Sequence, residues 1–187
     1  MKRNPKNIAD VLTQTYTDLL RDCIRDVRNF PKRGIVFKDI TPILRDPKLF
    51  NAAIDVLADR HIGSKLDAIV VIDARGFIFG SAMAYKLGCG IVPVRKKGKL
   101  PYKTIEEHYK LEYGEAAMEM HSDALKKGDR VVLVDDLLAT GGTAAAASKL
   151  VKALGANLIE IDFLIELTFL KGRKRLAGSP VFAAIQF

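Results

Sequence analysis

Two adjacent carboxylates, Asp135 and Asp136, follow an apolar run in "VVLVDDLLATGGT", residues 131–143, and a paired-glycine stretch comes directly after them. Like charges this close are costly unless hydroxyls, cations or backbone donors meet them. A sugar diol does so, because each carboxylate can accept from one hydroxyl. In "ATGGT", Gly141 and Gly142 let the backbone approach a ligand and expose its amides. Ala139 opens this loop, and Thr140 and Thr143 add hydroxyl donors. The helix expected to start near Ala144 adds a partial positive charge, worth ~0.3–1 kcal/mol to an anion. A diol site beside a phosphate site fits a ribose 5-phosphate. Rival motifs fail: a Walker A loop needs Lys where Thr143 stands, and a dinucleotide fingerprint through Gly88 and Gly90 needs Gly where Pro93 stands. On this motif alone, a ligand-free loop that merely closes a strand stays open as a reading.

The elements around the motif must deliver it to one crevice. "RVVLV" and "AIVVI" (68–72) are short, continuous and β-branched, as strands covered on both faces are. "IVPV" (91–94) reads as another strand, with Pro93 pointing to an edge or a bulge. "NLIEIDFLIEL" and "VFAAIQF" give two more. "FIFGSAMAYKL" and "TAAAASKLVKAL" read as helices stopped by Gly88 and Gly155. Alternating strands and helices imply an α/β fold with a mostly parallel twisted sheet flanked by helices. Such sheets bind ligands beyond the carboxyl ends of their strands. With a strand ending at Val134, Asp135 and Asp136 stand at that mouth; both reach one ligand only if the chain begins to turn between them.

Toward the N-terminus, apolar spacing predicts a helix over 8–28, stopped by Pro31. "FPKRGIVFKDITPIL" (30–44) holds too many breakers for a regular element. Asp46-Pro47 predicts a cap and first turn for a helix through about Ile62. Residues 95–108 form a long polar stretch, and "YKLEYGEAAMEM" suggests a hairpin around Gly114. The expected organisation is one domain over 1–187, with a hood at about 1–44 and a flexible lid loop at about 95–112.

Composition narrows the partners. The chain has 187 residues, 49 % of them apolar, and a net charge of +8. The positive charge clusters in "RKKGK" (95–99) and "KGRKR" (171–175), which suits a nucleic-acid backbone, a small polyphosphate or plain solvated loops. No apolar run reaches the ~20 residues of a membrane span, and "MKRNPKNIAD" is not followed by a signal-peptide core. Cys23 and Cys89 show no CxxC spacing, and the histidines show no metal-ligand spacing. A cytoplasmic location, no membrane partner and no all-protein metal site are expected.

These residues resemble the phosphoribosyl-pyrophosphate signature of the type I phosphoribosyltransferases, most closely their adenine branch. "FPKRGIVFKDITPIL", "IDARGFIFG", "RKKGKLP", "LEYG" and "IELTFLKGR" resemble that family's other landmarks in the same order, from roughly residue 27 to the end. The resemblance implies the type I phosphoribosyltransferase fold. It also implies a purine-salvage reaction: adenine and phosphoribosyl pyrophosphate give AMP and pyrophosphate, with Mg²⁺ carried by substrate and water, in a homodimer. Asp135 and Asp136 would hold the ribose hydroxyls, and residues 139–143 the 5-phosphate.

Further roles follow from the same resemblance. The turn through Asp73, Ala74 and Arg75 would bind pyrophosphate, its first position being Asp where many relatives have Glu. Arg75 would also approach the base, though by residue type it serves equally as an ion-pair partner. Lys96, Lys97 and Lys99 would close over pyrophosphate, while Arg95 would bind there or reach a partner subunit. Tyr102 and Lys103 depart from the family pattern. Glu112 would be the catalytic acid and Tyr113 a support for the lid; read alone, Glu112 is an exposed hairpin residue. Phe37 would stack on the purine, with Leu167 opposite and backbone near Val36 choosing the base; read alone, Phe37 is a core residue. Two alternatives stay open: a transferase for another base (hypoxanthine, xanthine or orotate), and a phosphoribosyl-pyrophosphate-sensing DNA-binding regulator. About 30 residues precede the first motif, too few for the regulator's extra winged-helix domain, so no specific nucleic acid is expected.

Overall fold

The structure, a computed structural model, describes residues 8–110 and 115–187. Glu112 and Tyr113 therefore lie outside the described residues. The chain divides into two compact units, residues 1–56 and 57–187.

In the first unit, α1 (Ile8–Cys23) is followed by β1 (Arg25–Arg28) and β2 (Val36–Asp39), which pair antiparallel. The helix expected over 8–28 thus ends at Cys23, and the segment expected to be irregular supplies β2 and a short helix, α2 (Thr41–Arg45). The cause is pairing beyond the reach of helical periodicity. Arg25 stands opposite Asp39, Asp26 opposite Lys38 and Val27 opposite Phe37. Arg25 Nη2 lies 2.5 Å from Asp39 Oδ2, and Lys38 Nζ 2.7 Å from Asp26 Oδ1. Opposite charges facing each other across a ladder contribute roughly 0.2–1 kcal/mol each. The Phe30 and Phe37 rings meet edge to face at 5.3 Å. Asp46 caps α3 (Pro47–Ala58) as expected, its Oδ1 accepting from the amides of Lys48 at 2.8 Å and Leu49 at 3.1 Å.

The second unit is built on β3 (Ala68–Ile72), α4 (Gly76–Leu87), β4 (Gly90–Lys96), β5 (Thr104–Lys110), β6 (Glu115–His121), β7 (Arg130–Leu138), α5 (Gly142–Ala153), β8 (Asn157–Glu166) and β9 (Val181–Gln186). Its strands form one sheet in the order β5-β6-β4-β3-β7-β8-β9. The run β4-β3-β7-β8-β9 is parallel, and β6 and β5 extend it antiparallel. From β3 the chain steps outward to β4 and later returns to the other side of β3 with β7. The crevice between β3 and β7 is therefore a topological switch point. All of β3 is buried, as its unbroken apolar run requires, and Ala144, Ala147, Leu150 and Val151 of α5 share one core cluster with Val131 and Leu133 of β7.

Pro93 sits at a local edge of β4. The Val94 carbonyl turns toward β3, accepting from Asp73 N at 2.9 Å, so the neighbouring Pro93 nitrogen faces away from it. On that side β6 pairs only with Arg95 and Lys96. The segment expected as one long connection over 95–112 is ordered strand from Thr104 to Lys110, laddered from Thr104↔His121 to Lys110↔Glu115. The hairpin suggested around Gly114 is therefore longer than its sequence signal.

Among the buried polar groups, His61 Nε2 lies 2.6 Å from Asp162 Oδ2, while Arg60 donates to both oxygens of Glu160 at 2.9 and 3.0 Å. These groups meet across about a hundred residues of chain, which is why spacing did not reveal them.

Candidate active site

β7 runs on to Leu138 rather than stopping at Val134, held throughout by β8. Its other neighbour, β3, pairs with it only as far as Val71↔Val134. Asp135 and Asp136 are thus the first residues of β7 with no strand on the β3 side, and the turn 73–76 stands in that place. Opposed strand directions do not separate the two carboxylates. Both line one cavity of about 190 Å³, together with Ala74, Arg75, Lys96 and Thr143. A second cavity of about 80 Å³ adjoins it through Asp135 and Thr143 and follows Ala139, Thr140, Gly141 and Gly142.

Charge in the first cavity is only partly balanced. Arg75 Nε donates to Asp136 Oδ2, so Arg75 is here the ion-pair partner that its residue type allowed. Asp136 is 5 % exposed. Asp135 Oδ1 accepts from the Asp136 amide at 2.9 Å and, among the described residues, has no comparable bond from a cation. Burial first, and the Asp136 charge second, push the Asp135 carboxyl well above the ordinary carboxylate range; Arg75 opposes them weakly. A cation or a pair of hydroxyls arriving at Asp135 therefore meets unsatisfied negative charge.

Backbone geometry makes the second cavity. Gly141 is left-handed at φ +78° and precedes α5, whose first amides open onto the loop. The turn 172–176 lies against this loop with no room for side chains: a methyl group on Gly141 would stand 2.5 Å from the Gly172 carbonyl oxygen, and one on Gly172 2.2 Å from that of Ala139. That turn is held by Arg173, which donates to both oxygens of Glu166 at 2.8 and 2.9 Å. Leu167 donates its amide to the Leu138 carbonyl at 2.9 Å, which sets it beside the start of the loop.

The remaining expected residues divide. Asp73 and Ala74 line the cavity, and their peptide bond is cis. Lys96 lines it as well. Arg95 instead donates to Asp73 Oδ2 at 2.9 Å and to the Lys99 carbonyl at 3.0 Å, and Lys97 pairs with Glu106 at 2.8 Å. Val36 and Phe37 belong to β2 of the first unit.

Tyr109 was not anticipated. It lines the first cavity, and its hydroxyl lies 3.4 Å from Thr143 Oγ1. Its ring would touch a methyl group on Gly142 at 3.2 Å, as would the Arg175 guanidinium. A lone tyrosine in a polar stretch carries no signal until β5 is known to fold back along β6.

The Asp135 environment makes a signed prediction. A carboxyl held high in the folded state binds its proton more tightly than in the unfolded chain. Folded stability therefore falls as pH climbs from about 4 through the raised value. Asp135→Asn is expected to raise the melting temperature of the ligand-free protein at pH 7, each kcal/mol appearing as roughly 2–4 °C. The difference is expected to vanish near pH 4, where both forms are neutral. A lower melting temperature for the variant at pH 7 would show that the charge is already well met.

Comparison with known proteins agrees with this geometry. Residues 40–177 match the family described as phosphoribosyl transferase domain. An adenine phosphoribosyltransferase of Syntrophotalea carbinolica is 60 % identical over 168 residues, covering 90 % of this chain and 98 % of that protein. The crystal structure of adenine phosphoribosyltransferase from Thermoanaerobacter pseudethanolicus superposes with a TM-score of 0.88 at 53 % identity, covering 91 % of this chain and 99 % of that one. The Saccharomyces cerevisiae enzyme, complexed with adenine and D-2,5-dideoxy-2,5-imino-altritol 1,6-bisphosphate, gives 0.86 at 44 %, covering 91 % and 98 %. A crevice at the β3–β7 switch point, with paired carboxylates beside a glycine-built anion loop, thus occurs here in a chain that belongs to the adenine phosphoribosyltransferases of the phosphoribosyl transferase family.

Proposed function

We propose that the two adjoining cavities divide phosphoribosyl pyrophosphate between them, and that the chain transfers its phosphoribosyl group to adenine, giving AMP and pyrophosphate in purine salvage. The observation that carries this reading is the shared wall: Asp135 and Thr143 border both cavities, one rich in charged residues and the other following the glycine loop 139–143. The amides of 139–143 and the first turn of α5 take the 5-phosphate. Asp135 and Asp136 accept from the ribose hydroxyls. The pyrophosphate end lies along Asp73, Ala74, Arg75 and Lys96, with Arg95 and Lys99 supporting that turn.

In the reaction, the bond from ribose C1 to pyrophosphate breaks as N9 of adenine bonds to C1. Positive charge builds on the sugar ring as that bond loosens, as in glycoside cleavage. Two carboxylates fixed near the ring stabilise that charge with no reorganisation at the moment of reaction. Anchoring the 5-phosphate lets binding energy remote from C1 position it. Magnesium suits this donor set, since it prefers hard oxygen ligands and keeps much of its water. Asp135, poorly solvated, would hold it through water. When bound, the ion would draw negative charge from the leaving pyrophosphate.

Glu112 is proposed to handle the imidazole proton of adenine, a role resting on the family resemblance. The base contacts expected at Val36, Phe37, Arg75 and Leu167 rest on that resemblance too. Among the described residues no helix is long and apolar enough to cross a membrane, and a cytoplasmic site of action is proposed. A homodimer is also proposed. Ile78 and Tyr85, two turns apart on α4, are 39 % and 92 % exposed, an apolar stripe that a second copy would cover.

Three outcomes test this. Purified protein with Mg²⁺ and phosphoribosyl pyrophosphate should make AMP from adenine and little product from hypoxanthine or guanine; equal use of all three would remove the adenine assignment. Glu112→Gln should lower kcat by about 10²–10⁴ with a smaller change in KM, and unchanged turnover would take Glu112 out of the mechanism. Sedimentation equilibrium should return twice the chain mass, and Tyr85→Asp should shift it toward the monomer. A wild-type monomer throughout would refute the dimer.

A further inference from the structure

Glu119 lies on β6 directly opposite Arg95 of β4, and it is 3 % exposed. Nothing in the proposed chemistry uses it. Its Oε1 accepts from the backbone amides of Lys99 at 2.8 Å and Leu100 at 2.7 Å. Burial alone would raise its pKa, but the Gly98, Leu100 and Lys99 amides together win and hold it below the ordinary carboxylate range. A buried anion thus gathers the amides of the turn that joins β4 to β5.

That turn leads back to the cavity. The Lys99 carbonyl accepts from Arg95 Nη1 at 3.0 Å, and Arg95 Nε donates to Asp73 Oδ2 at 2.9 Å. Asp73 begins the turn whose Ala74 and Arg75 line the charged cavity. On the near side of the same turn, the Lys97 amide donates to the Ala117 carbonyl at 3.0 Å, next to cavity-lining Lys96. A continuous series of charge-assisted bonds therefore runs from Glu119 through Lys99 and Arg95 to Asp73, with the Leu100 amide joined to the same carboxylate. Such bonds are shorter and stronger than neutral ones. Without the series, the turn would lose its bonded connection through Arg95 to Asp73.

We propose that Glu119 is a positioning residue for the pyrophosphate end of the site. Through the Lys99 and Leu100 amides and Arg95 it sets the Asp73–Ala74–Arg75 turn and the direction of Lys96, and it touches neither substrate. The inference rests on the reading that this cavity takes the pyrophosphate end of phosphoribosyl pyrophosphate. A carboxylate is needed because it accepts several donors at once; a glutamine offers one acceptor oxygen and turns an NH₂ donor on the same amides.

The test is steady-state kinetics on the full chain for Glu119→Gln and Glu119→Ala, with Lys96→Ala as the control for the cavity itself. Glu119→Gln is expected to raise KM for phosphoribosyl pyrophosphate, and the inhibition constant of pyrophosphate, by about tenfold, and Glu119→Ala by more. KM for adenine is expected to stay within about twofold in both variants. A purely architectural residue would instead lower the melting temperature and the active fraction and leave the ratio of the two KM values alone. Should Glu119→Ala fail to fold, the glutamine variant, which keeps one acceptor oxygen, decides the matter. If Lys96→Ala raises KM for phosphoribosyl pyrophosphate while Glu119→Gln moves both KM values alike or neither, the positioning role is wrong and the cavity reading stands. If Lys96→Ala and Glu119→Gln both leave that KM unchanged, the cavity reading falls and the positioning role falls with it.

Discussion

Two carboxylates side by side at the end of a covered strand are the constraint around which the second unit is arranged. Their charge opposes folding unless something meets it. Among the described residues only one is met by a bonded cation, Arg75 on Asp136, and Asp135 is left with its own neighbour's amide. The strand order explains how the chain tolerates this. Because β3 stops pairing at Val134 while β8 continues alongside β7, the carboxylates keep a full ladder on one side and an opening on the other. The opening is where a ligand's hydroxyls or a solvated cation can complete the balance. The site is thus a local imbalance held in place by a rigid parallel sheet, and its cost to the ligand-free fold is the counterpart of its affinity for what fills it.

The anion loop beside it depends on a different constraint, close approach of main chain. Gly141 and Gly172 face each other across a gap that no Cβ fits, and Arg173 clamps the turn bearing Gly172 to the buried carboxylate of Glu166. The loop shape is therefore imposed from outside by a segment some thirty positions further along the chain. Tyr109, arriving from β5, closes another flank by laying its ring near Gly142 and its hydroxyl near Thr143. Three stretches of sequence thus meet at the glycine loop: the loop itself, the 172–176 turn and Tyr109.

Which parts were legible follows from how local their causes are. β3, β7, α4 and α5 were readable because continuous β-branched runs, a paired-glycine start and a glycine stop lie within single windows of sequence. Asp46 was readable as a cap because its partners, Lys48 and Leu49, are its immediate neighbours. The end of α1 was not, because Arg25 and Asp26 leave the helical pattern only to meet Asp39 and Lys38 across a hairpin. Nor was β5, whose polar sequence becomes a strand through its ladder with β6. Asp135, Asp136 and residues 139–143 were singled out by type and spacing, and the structure lines two adjoining cavities with them. Arg95 was placed at the ligand on resemblance, whereas its guanidinium joins Asp73 to Lys99. Tyr109 and Glu119 were invisible, since each acts through a partner that only the folded sheet brings near.

The same comparison settles how the basic charge should be understood. The clusters at 95–99 and 171–175 suited a nucleic-acid backbone, a polyphosphate or solvated loops equally well as strings of letters. In the fold they are not loose. Arg95 is held by Asp73, Lys97 by Glu106 and Arg173 by Glu166, three carboxylates that fix three cations. A surface that binds an extended backbone gains from mobile, solvent-facing lysines whose counterions are released on contact. Here several of the positive charges, Arg75 on Asp136 among them, are already paired and serve as braces, while the loop 139–143 and Lys96 line the two cavities. Positive charge arranged in this way favours a compact, multiply charged ligand bound at fixed distances over a long polymer followed along its length.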